Sequence, residues 1–390
     1  MKTGYERIHA KVDLDIIKEN LESVLKKAAP RLGACAVLKA DGYGHGAVEI
    51  ARVLEDRVWG FAVATTDEGI ELRRAGIKKP ILLLGYAMEN RFEELIQHEI
   101  RVPLFEKKAA EALAKTAKSM GKKAYVHIKV DTGMSRIGLF TDEEGLETAA
   151  YIAGCEHLIT EGIFTHLATA DMLENAPALE QMRCFNEFTD ALLRKGFSIP
   201  IRHYANSAAS MVLDTSRSDI CRIGISLYGL YPSDEPDWSE TPVRPALSLY
   251  SQVTYVKKLP AGTAIGYGGT YVTEEEKTIA TVSCGYADGY CRSLSNKADV
   301  LIHGRRCRIT GRICMDQFMV DVTPLTEAGV EVKSGDIVTL IGKEGSESIT
   351  MEELGALSGR FNYEFACELS KRVPHVFYEN GREVSCRDYF

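Results

Sequence analysis

Between residues 34 and 225, short apolar runs alternate with stretches whose apolar residues recur every three or four positions. ACAVLK precedes AVEIARVLED, WGFAVA precedes TDEGIELRRAG, PILLLG precedes NRFEELIQHE, and VPLF precedes KKAAEALAKTAKSMG. KAYVHIKV, EGIFTH and IRHYANS continue the series, with a long helical pattern, PALEQMRCFNEFTDALLRKG, before the last of them. Runs that are apolar throughout suit parallel strands covered by helices. Repeated strand–helix units make a parallel α/β fold, and about eight of them in about 200 residues fit a closed (β/α)8 barrel. Gly76 and Gly121 follow helical patterns, while Thr66-Asp67 and Glu89-Asn90 precede them, as stop and start signals would.

Past about residue 243 the pattern changes. SLYSQVTYVKKLP, KTIATVSCGYADG, DVLIHGRRCRITG and DIVTLIGKEG alternate more and are bounded by Gly, Asp and Pro. They predict antiparallel strands, with one helix near TMEELGALSGR. The connecting YPSDEPDWSETPVRP is rich in proline, serine and acids. The expected organisation is a (β/α)8 barrel over residues 1–243 and a mostly antiparallel β domain over 244–390.

Composition narrows the class. Apolar residues are 45% and charged residues 26% of the 390-residue chain, as in a globular protein. A net charge of −8 argues against nucleic acid or an anionic membrane as the main partner. MKTGYERIHAKVDLDIIKEN carries no apolar signal core. The ten cysteines include no CxxC pair and no Cys/His cluster with metal spacing, so reduced thiols, no metal and a cytoplasmic location are expected.

The candidate chemistry starts at AVLKADGYGHGA, residues 36–47. Lys39 ends the first apolar run, and strand ends of a barrel face its active site. A partly desolvated lysine there is either a nucleophile toward carbonyl groups or a side chain that snorkels to solvent. Gly42, Gly44 and Gly46 allow positive φ and close approach of backbone to a ligand.

AVLKADGYGHG resembles the cofactor-lysine motif of the alanine racemase family. VDTGMSRIG, FTHLATAD, HYANSAA, CRIGISLYGL, GYGGTY, GYADGY, GRICMDQ and NYE resemble further motifs of that family, in order and across both expected domains. The resemblance implies a pyridoxal phosphate enzyme, a homodimer with shared active sites, built from a barrel and a β domain. Lys39 would hold the cofactor and act as one acid/base group, with Tyr267 as the second, from the other subunit. His166 would link Tyr267 to the cation of Arg222, and Arg222 would donate to the pyridine nitrogen. Tyr43, Ser207, Tyr363 and the amides near Gly224 and Ile225 would contact the phosphate, with Asn206 beside them. Arg136 would contact the cofactor's phenolic oxygen and, with the Met315 amide, the substrate carboxylate, and Lys129 matches a lysine that is carbamylated in many members. Asp171, His203, Tyr286, Arg292 and Arg312 resemble a substrate corridor.

The activity so implied is interconversion of L- and D-alanine for peptidoglycan. A serine or serine/alanine racemase is the alternative within the family. Decarboxylases of basic amino acids share the architecture, and Cys314 invites that comparison, but they would set a carboxylate where Arg222 stands. A non-catalytic pyridoxal phosphate carrier is the alternative of another class. It would lack residues 244–390.

Overall fold

Eight short strands, all but one of them buried along most of their length, form the inner wall of one unit, Ile16–Arg244, in this computed structural model, which describes residues 7–389. The first six residues, on which part of the N-terminal reading rests, lie outside that range. A first strand, β1 (Ile8–Asp13), precedes the barrel strands. These are β2 (Ala34–Val37), β3 (Gly60–Val63), β4 (Ile81–Leu83), β5 (Ile100–Leu104), β6 (Ala124–Lys129), β7 (Leu158–Phe164), β8 (Ile201–His203) and β9 (Cys221–Ile223). They pair in parallel in the order β8-β7-β6-β5-β4-β3-β2-β9. The ladder between β8 and β9 is replaced by two bonds, Asp219 N to Arg202 O at 2.7 Å and Arg222 N to Ala205 O at 2.9 Å. The barrel is therefore nearly closed, and its strands share one C-terminal rim.

Helices cover the barrel through an apolar stripe. In Lys107–Ser119 the buried residues are Ala109, Ala110, Leu113 and Ala117, the spacing of one helical face. The helix Thr66–Arg74 starts one residue earlier than its sequence signal. Thr65 is the N-cap, and Glu68 completes a capping box with it. Gly76 and Gly121 sit at φ 95° and 63° where helices stop.

The other unit comprises the described residues up to Asp15 and from Pro245 onward. Its strands are β10 (Leu247–Leu259), β11 (Ala264–Ile265), β12 (Tyr271–Val272), β13 (Lys277–Val282), β14 (Asp299–Ile302) and β15 (Arg305–Thr310). They continue with β16 (Phe318–Asp321), β17 (Ile337–Glu344), β18 (Glu347–Ile349), β19 (His375–Glu379) and β20 (Arg382–Arg387). Ten strands follow the order β18-β17-β14-β15-β16-β13-β10-β1-β19-β20, and β17 also pairs with β10. All pairings but β1–β19 are antiparallel. The expected helix is present as Met351–Ser358.

The N-terminal boundary differs from the sequence-based one. β1 belongs with the β unit, paired to β10 and β19, because Ile8, Ala10 and Val12 are buried while the residues between them are not. That is the one-sided alternation of an antiparallel-type sheet, not the continuous burial of a barrel strand. Arg7 reinforces it with a bidentate bond to the fully buried Asp288.

Candidate functional site

The rim of the barrel carries the candidate chemistry. Lys39 stands two residues beyond β2 and opens a left-handed turn, with Ala40, Asp41, Gly42 and Tyr43 at φ 51–62° and ψ 41–49°. Gly44 and Gly46 continue at positive φ. The sequence assigned that conformation to the glycines; three other residues share it. Glu68 braces the turn, its carboxylate accepting from Ala40 N at 2.8 Å and Ala64 N at 2.7 Å. Asp41 Oδ1 accepts from Ala47 N at 2.9 Å and so fixes the start of the next helix. The Lys39 ammonium lies 5.5 Å from the Tyr43 ring centre.

The Tyr43 ring packs on Tyr228 at 5.0 Å, and its hydroxyl reaches toward Gly224. A Cβ on Gly224 would stand 2.9 Å from that oxygen. Gly224 N donates to Ser207 Oγ at 2.9 Å. Ser207 begins the helix Ser207–Val212, and Ile225 begins the short 3-10 turn Ile225–Tyr228. Two sets of helix-opening N–H groups therefore flank Tyr43 and Ser207, and such groups favour an anion. The N-cap of that helix is Asn206: Asn206 Oδ1 accepts from Ala209 N at 2.9 Å, and its amide donates to Leu167 O.

Arg222, in β9, is 4% exposed. Its guanidinium donates to His203 Nδ1 at 3.0 Å, His166 Nδ1 at 3.3 Å and the carbonyls of Thr165, His203 and Tyr204. Burial lowers its pKa to about 10, so it stays charged near neutral pH. Burial, then the charge of Arg222, holds His166 and His203 well below the usual imidazole value. Both rings are neutral acceptors at Nδ1. Lys39, Lys129 and Arg136 also lie within electrostatic reach of His166.

Lys129 closes β6, 3% exposed, and donates to Val130 O at 2.7 Å. Burial, with Arg222 and Arg136 opposing its charge and Asp131 favouring it, lowers its pKa to about 7. The following loop is wound around the Asp131 carboxylate, which accepts from the amides of Gly133, Ser135 and Arg136. The loop closes on Gly138, where a Cβ would lie 2.6 Å from Asp131 N. This leaves Arg136 exposed.

Sequence reasoning missed four supporting residues. Buried Gln181 accepts from Ala168 N at 2.8 Å and donates to His166 O and Thr132 Oγ1, locking the segment that carries His166. Glu68 was legible as the fourth residue of a capping box. His127 and Glu161, inside the barrel, gave no local signal. His203 is also displaced from its expected place: it is 0% exposed and bonded inside the barrel, so it lines no corridor.

In the β unit, Tyr267 is 71% exposed on a 3-10 turn between β11 and β12. Gly266, Gly268 and Gly269 give that turn its positive φ values. A Cβ on Gly268 would lie 3.0 Å from the Arg312 guanidinium, so Arg312 backs the turn. Met315 is 52% exposed, and its carbonyl accepts from Ala287 N. The Cys314–Met315 carbonyls press on Gly285, where a Cβ would meet them at 2.3–2.4 Å. Tyr363 follows the Asn362 that opens a short helix and packs on Phe361 with ring centres 4.2 Å apart. Tyr286, Arg292 and Phe361 are exposed, and Asp171 is partly buried. No group of His, Cys, Asp and Glu able to hold a metal occurs among the described residues, and no described helix is long and apolar enough to cross a membrane.

Known proteins resemble the chain throughout. Residues 12–232 match the family model described as alanine racemase, N-terminal domain, and residues 246–377 the one described as alanine racemase, C-terminal domain. An alanine racemase of Desulforamulus reducens is 43% identical over 373 residues, 95% of this chain and 99% of that protein. The solved alanine racemase of Clostridium difficile 630 superposes with a TM-score of 0.94 at 39% identity, covering 99% of this chain and 100% of that one. A histidine racemase of Leuconostoc mesenteroides superposes with a TM-score of 0.88 at 27% identity, covering 97% and 99%.

Proposed function

The chain belongs to the alanine racemase family, and from that premise we propose that it interconverts L-alanine and D-alanine with pyridoxal phosphate at the barrel rim. D-alanine is the form peptidoglycan consumes. The donor set fits this cofactor. Lys39 offers an amine to an aldehyde, and Tyr43, Ser207, Gly224 and Ile225 form a phosphate cradle that a Cβ on Gly224 would invade. Asn206 caps the helix beneath it, and Tyr363 adds a phosphate contact. When bound, pyridoxal phosphate supplies an aldehyde that captures the substrate amine and a conjugated ring that makes the α C–H acidic.

The chain's residues then divide the proton traffic. Lys39 Nζ and the Tyr267 phenolic oxygen serve opposite faces of the α-carbon, as inversion requires. Tyr267 takes the proton from L-alanine while Lys39 delivers one to the other face; D-alanine uses the reverse order. His166 accepts at Nδ1 from Arg222, so its proton sits on Nε2 and can be donated to the phenol. Arg222 offers only donors to the ring nitrogen and hands over no proton, which restrains transamination. Arg136 and the Met315 amide hold the substrate carboxylate. Lys129, with its pKa near 7, can take up carbon dioxide as a neutral amine, and the resulting anion would attract Arg136.

The working unit in this reading is a homodimer in which Tyr267 and Met315 serve the barrel of the partner subunit. Their exposure in the single chain supports it. Tyr363 crowds the substrate side chain and favours alanine, and serine is a slower second substrate, since one hydroxyl is discriminated only modestly. The observation that carries the reaction class is Arg222, a buried guanidinium bonded to imidazoles and carbonyls where a decarboxylase would set an acid.

Chiral analysis of cofactor-loaded protein incubated with L-alanine, L-serine, L-lysine or L-ornithine tests the proposal. D-alanine should form fastest. Carbon dioxide released from lysine or ornithine, or no turnover despite bound cofactor, would refute it.

A further inference from the structure

Beneath Arg222 a row of polar side chains runs down inside the barrel. Arg222 donates to His203 Nδ1, and His203 Nε2 lies 2.9 Å from His127 Nδ1. His127 Nε2 lies 3.2 Å from Glu161 Oε2. Arg101, near the start of β5, grips the same carboxylate through Nε at 2.9 Å and Nη2 at 3.2 Å. Both histidines are 0% exposed, and Arg101 is 8% exposed. Polar groups so deeply buried are costly unless each donor meets an acceptor.

The donors and acceptors admit one arrangement of protons. A guanidinium has only donors, so His203 Nδ1 must be bare and its proton must sit on Nε2. His127 Nδ1 must then accept, which puts the His127 proton on Nε2, facing Glu161. The carboxylate accepts from His127 on one side and from Arg101 on the other. Burial raises the carboxyl pKa, but the bonds from His127 and Arg101 outweigh it and leave Glu161 near 2, ionised throughout the neutral range. The backbone is adapted to this row. The β6–β7 register shifts between Val126 and His127, and a Cβ on Gly162 would lie 2.4 Å from His127 Nδ1.

We propose that His127, Glu161 and Arg101 are positioning residues for Arg222: by fixing His203 as the Nε2–H tautomer they hold the guanidinium in the pose that meets the cofactor ring. The charge of Arg222 is thus answered by Glu161 through two polarised imidazoles, and no carboxylate need touch it. If the acceptor at the foot of the row is lost, His127 can reverse its tautomer. His203 then reverses in turn and sets an N–H against Arg222. The proposal rests on the reading that Arg222 faces the cofactor.

The test is long-range 1H–15N spectroscopy of full-length protein labelled at histidine, with and without pyridoxal phosphate. His127→Gln and His203→Gln variants assign the signals. Both rings should be neutral Nε2–H tautomers from about pH 6 to 9. Glu161→Leu should give His203 a mixture of tautomers, shift the visible absorbance of the bound cofactor, and weaken cofactor retention roughly tenfold, as expected for a buried donor left unsatisfied. Glu161→Gln, whose carbonyl still accepts from His127, should restore the parent tautomers. An Nδ1–H or doubly protonated ring in the parent protein overturns the proposal, even if Glu161→Leu fails to fold. So does a Glu161→Leu protein with parental tautomers and absorbance. Failure of the parent to take up pyridoxal phosphate would overturn the functional reading instead, while the cofactor-free spectra still report the proton order.

Discussion

Replacing Lys129 with methionine should stabilise the unmodified protein at neutral pH. The lysine is 3% exposed, and burial lowers its pKa from 10.5 to about 7. In the unfolded chain it keeps its ordinary value, so between those two pH values the unfolded state binds the extra proton. Stability then rises with pH across the window, by about 1.4 kcal/mol for each pH unit. Below about pH 7 the cost is constant, at roughly 5 kcal/mol. Carbamylation removes the need to neutralise an ammonium and should abolish that cost. The assay is urea unfolding of parent and Lys129→Met proteins in carbon dioxide-free buffer at about pH 7 and 9.5. Relative to the variant, the parent should gain about 3 kcal/mol between the two. Bicarbonate at pH 7 should stabilise the parent alone, with intact mass showing one added carbon dioxide. Parallel pH dependence of the two proteins would refute the reasoning. So would a parent whose mass responds to bicarbonate while its stability does not.

Lys39→Ala should abolish racemisation and the covalently bound cofactor absorbance together. Tyr267→Phe should keep the absorbance and slow turnover by roughly 10²–10⁴, more in the L-to-D direction, as loss of an acid/base group does; directional initial rates measure this. Mixing Lys39→Ala with Tyr267→Phe chains should restore part of the activity once heterodimers form, through one intact shared site. Gly224→Ala should weaken cofactor retention roughly ten- to a hundredfold, because its Cβ would crowd the Tyr43 hydroxyl.

The barrel was legible because parallel strands are buried on both faces. Runs such as ACAVLK and WGFAVA need no periodicity to be read. β1 was open to the same treatment, since IHAKVD alternates and so belongs to a sheet with one buried face; proximity in sequence to the barrel concealed it. DVLIHGRRCRITG reads as one strand, but it folds as the hairpin β14–β15. His303 and Gly304 take φ 51° and 72° at its turn, a conformation a histidine seldom adopts. The rim residues could be aligned because they cluster in motifs. The row under Arg222 could not, because Arg101, His127, Glu161 and His203 come from four strands and are brought together only by the side-by-side pairing of β5 to β8.

The same contrast explains the turn after Lys39. Left-handed conformation costs a non-glycine residue roughly 1–2 kcal/mol, so Ala40, Asp41 and Tyr43 together store about 3–6 kcal/mol. Bonds from backbone N–H groups to carboxylates contribute roughly 1.5–3 kcal/mol each. Glu68 accepts from Ala40 and Ala64, and Asp41 accepts from Ala47, which offsets strain of that size. Glycines alone would relieve the strain more simply, but they would leave the turn without a fixed shape. A strained turn braced by two acids holds the residue that opens it in one place. Around Lys39 and around Arg222, then, the chain follows one rule: the groups proposed to meet the cofactor are held by carboxylates that do not meet it.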